Sequence, residues 1–251
     1  MEAICSSCLL FTTTLIHALE PNNSEPVPSF ERLDSRSNLE STLHLGWESR
    51  YFSEGRDSLD GDSLITTSLE VGFEHFTFGY WYGISPEQNY DELQLTAAYS
   101  NHFGDFDYYF SFTHFELSTV FPEREFDNEF GFGIAYTGLP YNFGLSLDSY
   151  YSFLEEGYFT EFTIEQTTEL TDSFSLNAAT TLGINQNYVS DGHDGLNHLA
   201  LSLGLEYSPR EDWTISTHFT YSLPLERDLT NPDDEFLTYF FHSGITVQWS
   251  F

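Results

Sequence analysis

Apolar and polar residues alternate along the chain from residue 42 to its end. In the segment 42–51, polar residues or glycine separate Leu43, Leu45 and Trp47, and Tyr51 continues the same spacing. Because successive side chains of a β-strand point to opposite faces, this pattern predicts a strand with one apolar face. No run of about eighteen apolar residues occurs, which argues against a helical membrane protein.

The same period recurs in about twelve segments of about ten residues, the length that a tilted strand needs to cross a hydrocarbon layer. The predicted connections alternate between short turns and long polar loops, which is typical of an even-stranded barrel. The predicted fold class is therefore all-β, a transmembrane antiparallel up-and-down β-barrel of about twelve strands. The short turns are predicted near 75 and at 101–105, 138–142, 171–173 and 208–212, and the loops at 53–62, 85–91, 116–128, 187–197 and 226–235, with 154–157 as a shorter exception.

The two faces of the strands differ in a way that indicates which one points outward. One face is rich in Phe, Tyr and Trp, whereas the other carries mainly Gly, Ser, Thr and Glu. The aromatic side chains of about twelve strands would not fit inside a barrel, while small and acidic side chains suit a wet lumen. The pattern thus favours a membrane barrel over the alternative, a soluble β-sandwich or a lipocalin-like barrel.

The start of the chain has a different character. An apolar stretch within residues 1–18 predicts a secretory signal peptide, and both cysteines, Cys5 and Cys8, fall inside it. Residues 19–39 are polar, rich in Pro and Ser, and are interpreted as a periplasmic leader or linker. The barrel is predicted to occupy residues 40–251, and cleavage after Ala18 would leave it without cysteine.

The chain is strongly acidic, with 40 Asp and Glu against 7 Lys and Arg and a formal charge of −33. Binding to nucleic acid needs clustered cations, so no nucleic-acid partner is expected. Charged residues facing the lumen make a negative potential that attracts cations, so we expect the inward acids to confer cation preference. Solvated acids without such a role, or adaptation to a salty habitat, are alternatives that stay open. The residues assigned to the lumen are Glu48, Arg50, Glu70, Glu92, Asp107, Asp148, Glu161, Glu165 and Glu206, with Arg50 expected to pair with Glu48 or Glu70.

Several aromatic and histidine side chains also fall on the inward face. They would narrow the lumen, form a stacking surface for a sugar or nucleoside, or plug the barrel, and the sequence does not choose among these. The aromatic residues are Trp81, Tyr109, Tyr150 and Phe240, and the histidines are His44, His218 and His242.

Catalysis and metal binding are the competing interpretations of the polar residues. Ser111 or Ser216 with His114 or His218 could form a hydrolytic pair, but no nucleophile elbow is present, and no enzyme activity or cofactor is expected. The acidic loops lack the order of an EF-hand. The histidines of the loop 191–198 are interpreted as part of a hydrated loop, and no metal site is expected. These histidines are His193 and His198.

The last segment alternates up to Trp249 and Phe251. It resembles the C-terminal insertion signal of bacterial outer-membrane proteins, and the resemblance implies contact with the machinery that assembles such barrels. Residues 47–56, the aromatic hairpin 76–83 and the turn 103–108 resemble the opening of the TorF-type porins. That resemblance implies a porin-like outer-membrane protein without defined catalytic residues.

Together these observations predict an outer-membrane barrel of a diderm bacterium, surrounded by outer-membrane lipid, through which small solutes diffuse passively. The predicted selectivity is for cations. The alternative from another class is a structural or adhesive barrel whose acidic loops bind a surface partner or divalent cations.

Overall fold

The computed structural model describes residues 39–120 and 123–251. The predicted signal peptide, 1–18, and all but the last residue of the predicted leader, 19–39, lie outside the described residues. Within the described ranges, no helix combines the length and hydrophobicity needed to cross a membrane.

Twelve strands form one closed antiparallel barrel, as predicted. Each barrel strand pairs with its neighbours in the chain, and the first strand closes against the last, from Thr42 opposite Ser250 to Glu48 opposite Gly244. A two-stranded hairpin, β2 and β3, lies in the first loop. The strands are β1 (Leu39–Glu48), β2 (Phe52–Ser53), β3 (Arg56–Asp57), β4 (Leu64–Phe73), β5 (Phe76–Ser85), β6 (Tyr90–Phe103), β7 (Phe106–Val120), β8 (Glu123–Tyr136), β9 (Phe143–Ser152), β10 (Gly157–Thr171), β11 (Phe174–Gln186), β12 (Gly195–Arg210), β13 (Trp213–Pro224) and β14 (Phe240–Ser250).

The two ends of the barrel are unlike each other. We call one the turn end, because it carries the connections 74–75, 104–105, 137–142, 172–173 and 211–212, together with the start of β1 and the end of β14. We call the other the loop end, where residues 49–63, 187–194 and 225–239 form the longest connections. The predicted long connections are present at 49–63, 187–194 and 225–239, whereas the connection 86–89 is shorter than the turn-end connection 137–142.

One predicted loop is wrong. The polar segment 116–128, predicted to be a long loop, is mostly strand: β7 runs to Val120 and β8 begins at Glu123. The charges are tolerated because they pair between strands: Arg124 Nη1 donates to Glu116 Oε2 at 3.1 Å. Cross-strand pairs of opposite charge support strand pairing at a solvated position.

The apolar face of the strands points outward, as expected. Leu45, Phe78 and Phe241 are 54%, 57% and 55% exposed, whereas inward residues at the loop end are buried. Tyr51 is an exception, because it continues the spacing of the apolar face of β1 in the sequence but does not point outward. Its ring lies inside the barrel, where it stacks on Trp81 with ring centroids 6.5 Å apart.

The outward face leads to a prediction about adjacent positions on β11. Thr180 lies opposite the outward residues Ile164 and Leu201, whereas Ala179 lies opposite the inward residue Glu165. If the outward face contacts lipid, Thr180→Arg lowers the free energy of unfolding by about 2–4 kcal/mol, the cost of an arginine near the bilayer midplane. The matched variant Ala179→Arg places the same side chain in the lumen opposite Glu165, away from lipid, and destabilises the barrel less.

Urea unfolding in lipid vesicles, followed by tryptophan fluorescence, measures both variants. Equal destabilisation by the two arginines would contradict the assigned orientation of the faces.

Candidate functional site

The barrel encloses a cavity of about 540 Å³ that begins beneath Tyr51 of the first loop and extends to Asp107. A second cavity of about 350 Å³ lies at the turn end, and Thr167, Asn177 and Glu206 line both. The lumen is therefore continuous with the mouth of the barrel at the turn end.

Most of the acids assigned to the lumen from the sequence line this cavity. Inward positions on alternate residues of several strands bring them around one space, although they are far apart in the chain. Among the described residues, Arg50 is the one arginine in the lining. The lining acids are Glu48, Glu70, Asp107, Asp148, Glu161, Glu165 and Glu206.

Glu92 also points into the barrel but lies in its wall, outside the cavity lining. Its carboxylate accepts hydrogen bonds from Tyr51 Oη at 2.8 Å and Gln94 Nε2 at 2.7 Å, and from the Tyr90 hydroxyl. Burial raises the pKa of Tyr51, so its hydroxyl remains a donor to this carboxylate. These donors satisfy Glu92 structurally, which separates it from the acids that face the cavity.

The pairing expected for Arg50 is wrong. Arg50 lies beyond the end of β1 and forms an ion pair with Asp57 of the first loop, not with Glu48 or Glu70. Its Cζ atom also lies 5.9 Å from the ring centroid of Phe240. The reason is that the chain leaves the strand register after Glu48, so the side chain of Arg50 follows the loop.

The aromatic residues assigned to the lumen lie inside the barrel, and all are largely buried. Tyr109 Oη donates to Asp148 Oδ1 at 2.9 Å and lies 3.1 Å from Tyr150 Oη. Gly133 lies between the strands of Tyr109 and Asp148, where a Cβ atom would collide with both side chains. Glycine is needed here so that the side chain of Tyr109 can pass over β8 on the inner side of the barrel and donate its hydrogen bond to Asp148.

Three loops fold over the loop end and fill it; we call residues 49–63, 187–194 and 225–239 the loop cap. Arg56 is its centre, with a side chain only 2% exposed. It forms an ion pair with Asp234 at 3.0 Å and donates to Asn197 Oδ1 at 3.0 Å. It also donates to the backbone oxygens of Glu54, at 3.0 Å, and Asp233, at 3.1 Å. One guanidinium group thus ties the first loop to the last loop and to β12.

The middle loop of the cap is anchored in the same way. Asn185 Nδ2 donates to the backbone oxygens of Val189 at 3.1 Å and His193 at 2.8 Å. The hydroxyl of Tyr188 donates to the buried Glu129. The side chains of Tyr188 and Val189 therefore enter the barrel beside Phe159.

The loop histidines, interpreted above as hydrated, are buried instead. His193 Nδ1 lies 2.7 Å from Asp234 Oδ2 and its Nε2 lies 3.1 Å from Leu196 O. His198 Nδ1 lies 3.1 Å from Asn197 Nδ2. The two rings thus have different partners and do not form one ligand set. The inward fold of this loop depends on contacts with distant residues such as Asp234, which the local spacing does not show.

The histidines considered for catalysis also have other neighbours. His114 Nδ1 lies 3.0 Å from Asn128 Oδ1, and His218 Nε2 lies 3.1 Å from Glu48 Oε2. His218 lines the cavity together with His242, and their ring centroids are 5.4 Å apart. Phe52 of the first loop stacks on His242 with ring centroids 4.9 Å apart.

The loop cap depends on the buried ion pair of Arg56, which yields a prediction. Arg56→Ala leaves Asp234 without its guanidinium partner, a change that costs at least about 3 kcal/mol for a buried pair. Amide hydrogen exchange in residues 49–63 and 225–239 therefore accelerates, while the strands stay protected. Arg124→Ala, which removes an exposed arginine at the same end, serves as control and leaves exchange in the cap unchanged. Unchanged protection in Arg56→Ala would contradict this role.

Asp233 makes the loop cap sensitive to pH. Partial burial raises the pKa of Asp233 to about 6, and the carboxylates of Asp191, Glu155 and Asp234 contribute to the rise. Arg56 opposes it. Because the folded cap holds this proton more tightly than an open loop does, the cap gains stability as pH falls through about 6.

Hydrogen exchange in 225–239, corrected for intrinsic rates, is therefore expected to slow between pH 7 and pH 5. In Asp233→Asn the side chain is neutral at every pH, so this contribution disappears. A pH dependence that is identical in the two proteins would show that another group causes it.

No family model matches the chain, and no curated protein matches it in sequence. The TorF-type resemblance is therefore not shown by these comparisons. Among solved structures, the chain is similar to the KdgM porin, with a TM-score of 0.59 and 12% identity over 84% of this chain and 99% of that one. It is also similar to the NanC porin, with a TM-score of 0.52 and 13% identity over 83% of this chain and 98% of that one. These likenesses show a porin-like barrel fold.

Proposed function

We propose that this chain is a porin-like channel of the bacterial outer membrane that admits small solutes and prefers cations. The observation that carries the proposal is the lining of the central cavity, where seven predicted acids face one arginine. Carboxylates of one sign around a narrow lumen concentrate cations and exclude anions. No catalytic step is part of the proposal.

The membrane location is supported by the surface of the barrel. Closure of β1 on β14 leaves no barrel strand with an unpaired edge, so the backbone polar groups are satisfied within the wall. Most of the large outward side chains are apolar and exposed. A soluble protein would place such a surface in contact with water at a large free-energy cost. The likeness in fold to solved porins points the same way.

The charge of the lumen also bears on the class of solute. One of the similar structures is a KdgM porin in complex with an oligogalacturonate, which is a polyanion. The lining acids of the present barrel would repel such a chain, because its own carboxylates would enter a lumen of the same sign. The proposed solutes are therefore small cations and small neutral molecules.

The test is the reversal potential of the purified barrel in a planar bilayer under a KCl gradient. We expect the sign of the reversal potential to show that potassium permeates more readily than chloride. Removing two lining carboxylates in Glu70→Gln/Glu165→Gln moves it toward zero. The control Asp60→Asn/Glu125→Gln removes two exposed acids outside the cavity lining and leaves the value unchanged.

A reversal potential near zero in the unmodified protein would overturn the cation preference. The filled loop end favours a second candidate, a structural or adhesive barrel whose acidic surface binds a partner or divalent cations. Absence of any conductance, both in the unmodified protein and in Arg56→Ala, would support that candidate over the channel.

A further inference from the structure

Three adjacent strands bring two histidines and a glutamate together inside the barrel. Glu48 of β1 and His218 of β13 both lie opposite Gly244 of β14. Because Gly244 has no side chain, the carboxylate of Glu48 can occupy the space that a Cβ atom on residue 244 would fill. His242 precedes Gly244 by two residues and therefore points to the same face. The barrel closure thus places the three side chains around one glycine.

The distances within this cluster suit a metal ion. Glu48 Oε2 and His218 Nε2 are 3.1 Å apart, and one ligand atom from each of the three residues lies within 4.8 Å of the others. A tetrahedral zinc ion with bonds of about 2.0–2.1 Å holds its ligand atoms about 3.4 Å apart. A rotation of the imidazole rings that closes the longest separation by at most about 1.4 Å would complete the geometry.

The same atoms lack other partners. Both ring nitrogens of His242 and Oε2 of Glu48 are shielded from solvent and have no hydrogen-bond partner among the described residues. The contact between Glu48 Oε2 and His218 Nε2 is close, but it lacks the alignment of a hydrogen bond. Buried polar atoms without partners cost free energy, and a cation bound between them would remove that cost.

The kind of ligand follows from the donor atoms. Two imidazoles and one carboxylate are the ligand set of zinc and related transition metals, whereas calcium and magnesium prefer oxygen ligands alone. All three residues line the cavity, which leaves a fourth position for water or a solute. The acids of the same lining, among them Glu70 and Glu161, attract a cation toward the cluster.

We propose that Glu48, His218 and His242 form a binding site for a divalent transition-metal ion, with Zn²⁺ as the best fit. The site goes beyond the proposed channel and does not depend on it, because it requires only the folded barrel. It differs from the expectation drawn from the sequence, which contained no metal site. In the sequence the three residues are separate inward positions. His218 lies 170 residues after Glu48, and His242 lies 194 residues after it.

The test is metal binding by the detergent-solubilised full barrel without a histidine tag. Co²⁺ serves as the probe, because its visible absorption intensifies on tetrahedral binding, and Zn²⁺ is then added as competitor. We expect one equivalent of Co²⁺ to bind and Zn²⁺ to displace it. In His218→Ala/His242→Ala the affinity falls at least about 100-fold, since two ligands are lost.

Two further variants distinguish binding at this site from binding by other histidines. His75→Ala/His102→Ala removes two histidines near the turn end that do not line the cavity, and it keeps full affinity. Glu48→Gln keeps the shape of the side chain and weakens binding by removing the charge. The heat-dependent gel mobility of each variant shows that the barrel has folded.

Failure of the folded, unmodified protein to bind either ion would overturn the proposal. So would an equal loss of affinity in the control double variant. Because no current is measured, a negative result here leaves the channel proposal standing, and absence of conductance leaves the metal site standing.

Discussion

The structure depends on one set of contacts, the pairing of β1 with β14. Seven residues of β1 lie in register with β14, from Thr42 opposite Ser250 to Glu48 opposite Gly244. This pairing gives every barrel strand two neighbours and separates an inner face from an outer face. An open sheet of the same sequence would expose an unpaired edge and would enclose no cavity. The acid-lined lumen and the cluster around Gly244 both follow from closure.

The alternating pattern determines what the closed barrel contains. Each strand contributes an inward residue at every second position, so the cavity lining is collected from strands that are distant in the chain. Acids that face the cavity directly differ from acids held in the wall: Glu70 lines the space, whereas Glu92 is satisfied by two tyrosines and a glutamine. Charge alone therefore does not identify the residues that act on a solute.

The period of two was sufficient to predict the barrel, its approximate strand number and the face of most inward residues, because each strand shows its pattern locally. It could not predict where each strand ends and the chain enters a loop. Glu116 and Arg124 look like loop residues, yet they pair across two strands. Tyr51 and Arg50 keep the spacing of β1 in sequence, but the chain has already turned into the loop cap. Long-range contacts such as Arg56 with Asp234 carry no local signal, and neither does the grouping of Glu48, His218 and His242.

The buried guanidinium of Arg56 has a consequence for biogenesis. It lies near the beginning of the barrel sequence, while Asp234 lies 178 positions later, in the last loop. Arg56 of the first loop can therefore form this ion pair only after the last loop has been added to the barrel. Before the last loop folds, the guanidinium of Arg56 remains without this buried partner. The loop cap is therefore completed only when the last loop is in place.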